Sequence, residues 1–239
     1  YPFAIKIATG KISAITGAPW HNALAGGSED QDYVVIPDQP WLDGYCVQRG
    51  LIRQFVAMPL GRGHTAEEQL TGEAIHGGIQ IVAYPMKRAH YEARVQAHSW
   101  LDCQAPCQSP EMGLAPGGLM HQEVYEDPYG IDAWDTDHAS RCFVHLLNSV
   151  QYERVTGRPP PTEPPSAKAY TEAGLPWFEY YGEGSAALSG TKALANMDSV
   201  AAKSVKAGEA PDPHNEPVDP KHVIGLTGTG QNAVREGEF

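Results

Sequence analysis

The chain has 239 residues, of which 41% are hydrophobic and 19% charged, and its formal net charge is −12. A chain of this length and apolar content has enough residues for a buried core in one or two domains. Nucleic-acid affinity depends largely on Lys and Arg side chains that neutralise phosphates, so the acidic balance argues against a nucleic-acid partner and against anionic membrane surfaces. No apolar run approaches the roughly 18 to 20 residues that span a bilayer, and we expect no membrane insertion.

Four cysteines are too few for a scaffold built from disulfides, although they allow one bridge. The sequence begins at Tyr1 without a signal-peptide pattern, and none of its five Asn residues starts an Asn-x-Ser/Thr glycosylation motif. We therefore expect a soluble protein and favour a cytoplasmic location over a secretory one. The sequence leaves the oligomeric state open.

The N-terminal part of the chain contains segments of strand character. Residues 3–15 predict a β-hairpin, because apolar residues alternate with smaller or polar ones before a Thr-Gly-Lys turn. Residues 17–32 are Gly-rich and partly acidic, which is typical of a loop. Two further strands are predicted at residues 51–58 and 79–84, since both runs are rich in apolar and β-branched residues and both end at a proline.

A short helix is predicted between those two strands. Thr65 is followed three residues later by Glu68, which makes a capping box in which hydroxyl and carboxylate each accept a backbone N–H at a helix start. The helix should cover residues 66–70 and end at Gly72.

Residues 89–129 are harder to assign. Ala or another apolar residue alternates with a polar one over residues 89–97, which favours a strand with one polar face, although Ala, Glu, Arg and Gln are good helix formers. Residues 101–129 contain many Pro and Gly residues and are predicted to form a long connection.

The principal helix is predicted at about residues 136–152. Asp135, Thr136 and Asp137 offer an N-cap and negative charge at its start. One buried face would consist of apolar residues at helical spacing, namely Ala139, Phe143, Leu146, Leu147 and Val150.

Five prolines in residues 158–166 predict an extended tether. Residues 1–157 would form the β-rich core with the principal helix. Residues 158–239 contain too few apolar residues for a core of their own, so we expect them to wrap around the same domain, with Trp177 and Phe178 as an anchor and a weak helix near residues 192–205. The fold class is α+β, mainly antiparallel β with one principal helix and a long irregular C-terminal wrap.

Sulfur and imidazole side chains suggest a metal site. On the predicted helix, His138, Cys142 and His145 are four and three residues apart and would form one stripe. Together with Cys103 and Cys107 upstream they could hold a structural zinc ion, so the cofactor is either zinc or none. Alternatively, Cys142 is a core cysteine, the histidines lie on the surface, and the other two cysteines are free or bridged.

A ligand site is predicted at Trp41, Asp43, Arg53 and Gln54. The turn Pro-Trp-Leu-Asp-Gly would present an aromatic ring and a carboxylate, a combination that suits a sugar or another flat ligand. Alternatively, the turn is structural, with Asp43 bound to backbone N–H groups and Trp41 in the core.

A third candidate set could supply acid and base groups: His64, Glu67, Glu68, Glu73 and His76. The zinc-protease motif His-Glu-x-x-His is absent from the sequence, as are phosphate-binding loops, Gly-x-Ser-x-Gly and kinase signatures. An enzyme would therefore need a site that no short motif indicates.

The strings QDYVVIPDQPWLDG, IRQFVAMPLG, EEQLTGEAIHGGIQI, GLMHQEVYEDPYGIDAWD and AGLPWFEYY resemble a group of uncharacterised soluble proteins from bacteria and fungi. The resemblance extends from about Phe3 to the C-terminal VREGEF, which implies one structural unit. That group has no established activity, so the resemblance assigns no functional residue.

The sequence favours a non-catalytic binding or structural protein whose ligand is a carbohydrate or another protein. The alternative is a hydrolase that uses a Cys/His-bound metal or His/Glu acid-base groups.

Overall fold

The structure is a computed structural model that describes residues 1–27, 30–94, 112–161, 167–174, 177–181, 186–210 and 223–227. The first strand, β1, covers Phe3–Thr9, and its alternating side chains separate two cores. Ala4 belongs to one buried cluster, whereas Ile5 and Ile7 pack against another on the opposite face. The polar residue on the Ala4 face, Lys6, is only 2% exposed.

β1 is at the centre of a five-stranded antiparallel sheet. The other strands are β2 (Ile12–Ser13), β3 (Val34–Ile36), β6 (Ile79–Pro85) and β8 (Ser140–Val144). β6 pairs with the whole of β1 on one side, while β2 and β3 share the other side. β8 adds to the outer side of β6.

A second, three-stranded antiparallel sheet has the order β4-β5-β7. Its strands are β4 (Gly44–Gln48), β5 (Leu51–Pro59) and β7 (Met112–His121). Val34 of the first sheet and Ile52 of the second share one buried cluster, so the two sheets pack face to face. The Tyr45 hydroxyl joins them as well, because it lies 2.7 Å from the Thr9 hydroxyl and donates to the carbonyl of Leu114 at 2.9 Å.

Short helices surround the sheets. They are α1 (Ala66–Thr71), α2 (Arg88–Arg94), α3 (Ser149–Thr156), α4 (Ala167–Glu172), α5 (Lys192–Ala195) and α6 (Val200–Lys206). The strands β9 (Trp177–Tyr181) and β10 (Val223–Thr227) form a parallel pair. The fold is therefore α+β and mainly antiparallel, as predicted. Within the described part of the chain, no helix has the length and apolar character that crossing a membrane requires.

Several predicted elements are confirmed. The N-terminal hairpin and the strands predicted at residues 51–58 and 79–84 correspond to β1–β2, β5 and β6. α1 begins with the capping box of Thr65 and Glu68 and ends at Gly72, whose φ of +77° is the left-handed conformation that glycine adopts without strain.

The principal helix predicted at about residues 136–152 is wrong. Residues 140–144 form β8, and the helix that follows, α3, begins only at Ser149 after an Asn148–Gln151 capping box. The apolar residues at helical spacing misled the prediction. Because Cys-Phe-Val suits a strand and β6 offers a free edge, pairing with β6 outweighed the local helical pattern.

Two other assignments also differ from the structure. Residues 88–94 form α2, so the strand predicted at 89–97 is wrong over its described residues. The helix-forming composition prevails there, and Arg88 bonds Glu92 one turn later at 2.6 Å. The long connection predicted at residues 101–129 is wrong over Met112–His121, which form β7. A Cβ atom on Gly117 of this strand would lie 2.6 Å from the Val56 side chain, so its glycine allows close packing.

Part of the C-terminal segment packs on the sheets. Leu194 of α5 is fully buried in a cluster with Tyr45 and Val47 of β4. Ala187 forms an isolated β-bridge with Tyr125. The weak helix predicted near 192–205 is found as the two short helices α5 and α6. The division of the chain near residue 158 stays a prediction, and the side chains of Trp177 and Phe178 lie outside the described residues.

Candidate functional site

A cleft of about 640 Å³ opens beside the first sheet, next to Tyr84. Its lining residues are Asn22, Ala23, Leu24, Tyr84, Thr136, Asp137, Ala139 and Arg141. We call it the Tyr84 cleft. Its volume lies within the range of roughly 300 to 1,000 Å³ that is typical of small-molecule sites.

The register of the first sheet places Tyr84 and Arg141 side by side. Val82 of β6 pairs with Arg141 of β8, and Tyr84 follows two residues after Val82 on the same face of β6. Arg141 is exposed because β8 is the outermost described strand on this side. The cleft therefore combines a buried tyrosine on an inner strand with an accessible guanidinium on the neighbouring one.

One wall of the cleft belongs to residues 21–25, which we call the wall segment. Side chains of the sheet hold it through its backbone. The ammonium of Lys6 donates to the carbonyl oxygens of His21 at 2.9 Å and Ala23 at 2.5 Å. The hydroxyl of Tyr84 donates to the carbonyl of Asn22, which lies between them. Side chains of the first sheet thus bind three consecutive carbonyl groups, and these bonds fix the backbone conformation of the wall segment.

A buried ion pair supports this arrangement. Lys6 and Asp32 lie 2.5 Å apart with side-chain exposures of 2% and 4%. The other carboxylate oxygen of Asp32 accepts the backbone N–H of Ala25 at 3.0 Å, while Nε2 of His21 lies 3.2 Å from the oxygen that meets Lys6. The ring of Trp20 lies over the ammonium, 5.6 Å from its centroid. Burying two charges costs several kcal/mol per ion unless hydrogen bonds satisfy them, and here both groups are fully engaged.

Burial and the charges around the cleft change the pKa of Tyr84. Burial raises the pKa of its hydroxyl above the ordinary value, Arg141 acts in the opposite direction, and Asp32 adds to the rise. The phenol is therefore protonated at neutral pH and serves as a donor to the wall segment, not as a base. Within the cleft itself, Asp137 and Arg141 are the two charged lining residues, and no ion pair joins them in the described contacts.

The predicted ligand-binding turn is held by internal hydrogen bonds. Gln122 donates to the carboxylate of Asp43 at 2.9 Å and accepts the backbone N–H of Asp43 at 2.9 Å. Trp41 also hydrogen-bonds Asp43. Burial raises the pKa of Asp43, and the bonds from Gln122 and Trp41 oppose this rise. These contacts favour the structural interpretation of the turn.

Arg53 and Gln54, the other two residues of that predicted site, make separate contacts. The side-chain amide of Gln54 donates to the sulfur of Met120 at 3.4 Å. Burial lowers the pKa of Arg53, and the carboxylate of Asp198 opposes this effect. Nε of Arg53 is buried and has no hydrogen-bond partner among the described residues. The pairing of β4 with β5 places Gly44 opposite Gln54, and the backbone N–H of Phe55 donates to the carbonyl of Asp43 at 2.9 Å, so Asp43 lies next to Gln54 across the two strands. The role of the four residues in binding stays a prediction.

The helical stripe proposed for a metal site is wrong, because Cys142 lies on a strand. Nδ1 of His138 lies 2.9 Å from the carboxylate of Asp135 at the surface, and Cys142 is an exposed free thiol. Side chains alternate between the two faces of extended backbone, and Cys142 and His145 are three residues apart. They therefore do not share a face. Among the described residues no group of three or more potential ligands could hold a metal ion. Cys103 and Cys107 lie outside those residues, so a zinc site stays a prediction without its helical basis.

Glu67, one of the predicted acid-base residues, is 2% exposed and has a structural role. Its carboxylate accepts the backbone N–H groups of Ile75 at 2.9 Å, His76 at 2.8 Å and Gly77 at 2.9 Å. It therefore holds the loop after α1.

Glu68 holds the loop before α1 in the same way. Its carboxylate accepts the backbone N–H groups of Gly61 and Gly63, each at 2.8 Å, and of Thr65 at 3.1 Å. Partial burial acts to raise the pKa of Glu68, but the bonds from Gly63 and Thr65 outweigh it and lower this pKa. Glu67 and Glu68, two of the predicted acid-base residues, are thus bound by backbone N–H groups.

The sequence analysis missed the residues that form the Tyr84 cleft. One signal was present for Lys6, which interrupts an alternating apolar strand at a position that shares a face with Ala4 and Ala8. A lysine at such a position needs a buried partner. Nothing local identifies Asp32 as that partner or Arg141 as a neighbour of Tyr84, because the contacts span 26 residues and more.

Comparisons with known proteins do not place this chain in a family. No family model matches the sequence, and no match was found among curated proteins or solved structures. The resemblance to uncharacterised bacterial and fungal proteins therefore stays a prediction. The function has to be inferred from the geometry of the chain's own residues.

Proposed function

We propose that this chain is a non-catalytic binding protein and that its Tyr84 cleft holds a carbohydrate. The observation that carries the proposal is a cleft of about 640 Å³ lined by hydrogen-bonding groups of both kinds. Arg141 supplies donors, Asp137 supplies acceptors, and the hydroxyl of Thr136 supplies both. Sugars suit this mixture, because each hydroxyl group of a sugar both donates and accepts.

The shape of the site favours a small molecule over a protein ligand. A stable protein interface needs about 800 Å² on each partner, whereas a cleft of this volume has the size of a small-molecule site. Leu24 and Ala139 add apolar surface for the C–H faces of a sugar ring.

The charges and the fixed wall also support binding without catalysis. One acidic and one basic residue line the cleft, so their formal charges cancel. The bonds from Lys6 and Tyr84 hold the wall segment before any ligand arrives, which reduces the entropy lost on binding. Tyr84, protonated and committed to Asn22, is not available as a general base.

Blocking the cleft tests the proposal. Ala139 is exposed and lines the cleft, so Ala139→Phe would fill it without disturbing a buried contact. Binding of the wild-type protein is first measured on a glycan array and by ligand-observed NMR with a panel of monosaccharides. We expect at least one sugar to bind, and Ala139→Phe to weaken that binding tenfold or more, roughly 1.4 kcal/mol.

Ala57→Phe is the matched control, because Ala57 is an exposed residue on β5 of the second sheet. It should leave sugar binding unchanged. A wild-type protein that retains none of the sugars, or a sugar bound equally by Ala139→Phe, would contradict the proposal.

A further inference from the structure

Arg141 is an exposed cation that lines the Tyr84 cleft. Among the described contacts its guanidinium makes no hydrogen bond and no ion pair. The sequence has 29 acidic and 17 basic residues, so it contains enough carboxylates to pair with every arginine. Its positive charge reaches the cleft, since it acts on the pKa of Tyr84 against the effect of burial.

Asp137 is the carboxylate of the cleft lining, and no ion pair between described residues joins it to Arg141. The two residues line the same cleft, yet the described ion pairs, which extend to 4.0 Å, do not include them. The other acidic residue of this segment, Asp135, already binds His138 at 2.9 Å and the backbone N–H of Asp137 at 3.1 Å. The guanidinium therefore has its donors available to a ligand.

Resting on the proposed function, we propose that the ligand is a sugar acid whose carboxylate is bound by Arg141. A guanidinium presents a planar pair of N–H donors that matches the two oxygens of a carboxylate. Asp137 and Thr136 then face the hydroxyl end of the same molecule. A carboxylate at one end and hydroxyl groups at the other is the composition of a uronic acid.

The charged groups of the cleft lining should distinguish the two kinds of sugar. A neutral sugar offers Arg141 no opposite charge when it displaces water from the guanidinium. An acidic sugar satisfies that charge, and its hydroxyl groups satisfy Asp137. Selectivity should therefore depend on Arg141, while Asp137 and Thr136 contribute to both kinds of sugar.

The test compares matched neutral and acidic sugars on the same protein. D-glucose and D-glucuronate, and D-galactose and D-galacturonate, differ at one carbon, and their affinities are measured by calorimetry or NMR at constant ionic strength. We expect the acid of the bound pair to bind at least tenfold more tightly than its neutral partner. Arg141→Gln should remove this preference, because it weakens binding of the acid at least tenfold more than binding of the neutral sugar.

Arg49→Gln is the control, because Arg49 is an exposed arginine in the turn between β4 and β5. It should keep the preference for the acid. Equal binding of neutral and acidic sugars by the wild type, or an unchanged preference in Arg141→Gln, would overturn the inference while the proposed function stands. If none of the four sugars and no sugar of the wider panel binds, the proposed function fails and this inference fails with it.

Discussion

At the scale of single residues, the buried pair of Lys6 and Asp32 determines how the wall segment lies. The ammonium replaces its lost hydration with two carbonyl oxygens and one carboxylate, all within 2.9 Å. The carboxylate in turn takes the N–H of Ala25. Removing one member leaves the other as an uncompensated charge, which is far more costly than removing both.

We expect Lys6→Met to lower the free energy of unfolding by about 3–5 kcal/mol, since Asp32 would be left buried without its cation. Lys6→Met combined with Asp32→Asn should recover part of this loss. The double variant stays less stable than wild type, because the carbonyls of His21 and Ala23 still lack their donor. Urea denaturation of the single and double variants measures both effects.

Lys11→Met serves as the control, because the side chain of Lys11 is exposed in the turn after β1. It should change stability by less than about 0.5 kcal/mol. A double variant no more stable than Lys6→Met alone would show that the charge of Asp32 does not determine the cost.

The sequence predicts the position of Lys6 but not its role. The alternation of β1 places it on a definite face, and this is a local property of seven residues. Asp32 lies in a segment predicted to be a loop, and its side chain reaches Lys6 only because β3 pairs with β1 next to it. No local pattern in the sequence encodes such a contact.

At the scale of elements, α1 shows how a short helix is kept in place by its two neighbouring glutamates. Six residues give little intrinsic helical stability, since nucleation of an isolated helix is unfavourable. Glu67 binds the backbone of the loop after the helix and Glu68 that of the loop before it. The helix is therefore stabilised by the loops that it also organises.

The lowered pKa of Glu68 predicts a pH-dependent contribution to stability. A carboxyl group whose pKa is lower in the folded protein than in the unfolded chain stabilises the fold above its unfolded pKa and loses this effect as the pH falls through the folded value. Glu68→Gln should cost about 1–2 kcal/mol at pH 7. The difference from wild type should shrink as the pH falls below the ordinary glutamate range.

Denaturation at a series of pH values from 7 downward measures this difference. Glu73→Gln is the control, because Glu73 is exposed in the loop that follows α1. A difference between wild type and Glu68→Gln that stays constant with pH would show that the charge of Glu68 does not contribute.

Elements with local signals were predicted, and elements that depend on distant partners were not. The capping box of α1 lies within four residues, whereas β8 exists because β6 presents an edge to it. The Gly and Pro residues of β7 are typical of a loop, but in the structure they pair with β5 and let its side chains pack closely.

At the scale of the whole molecule, the sheets and part of the C-terminal segment share buried side chains. Leu194 of α5 belongs to the same cluster as Tyr45 of β4 and Ala66 of α1. If residues 158–239 wrap around the core as predicted, the contact should be part of one cooperative fold.

Leu194→Ala tests this unity. Truncating a fully buried leucine should lower the free energy of unfolding by about 2.7–5 kcal/mol and shift the whole transition. Circular dichroism and tryptophan fluorescence should report the same midpoint. Val205→Ala, at a position 62% exposed on α6, should change it little. If Leu194→Ala leaves the main transition where it was, the segment unfolds separately from the core.

The Tyr84 cleft depends on the fold of the whole first sheet. Its lining comes from the segment after the hairpin, from β6 and from the residues around β8, which meet only in the complete first sheet. No local pattern in the sequence marks residues that meet only in the folded sheet, so the candidate site could not be predicted from it.

The wall segment has a consequence for how the protein could change its ligand. Its backbone is held through the carbonyls of His21, Asn22 and Ala23, while the side chains of Asn22 and Ala23 are exposed and line the cleft. Substitutions at Asn22 and Ala23 leave the carbonyl bonds to Lys6 and Tyr84 available. Natural variation or laboratory selection can therefore alter the lining of the cleft at two adjacent positions, while the stability of the sheet beneath them stays nearly constant.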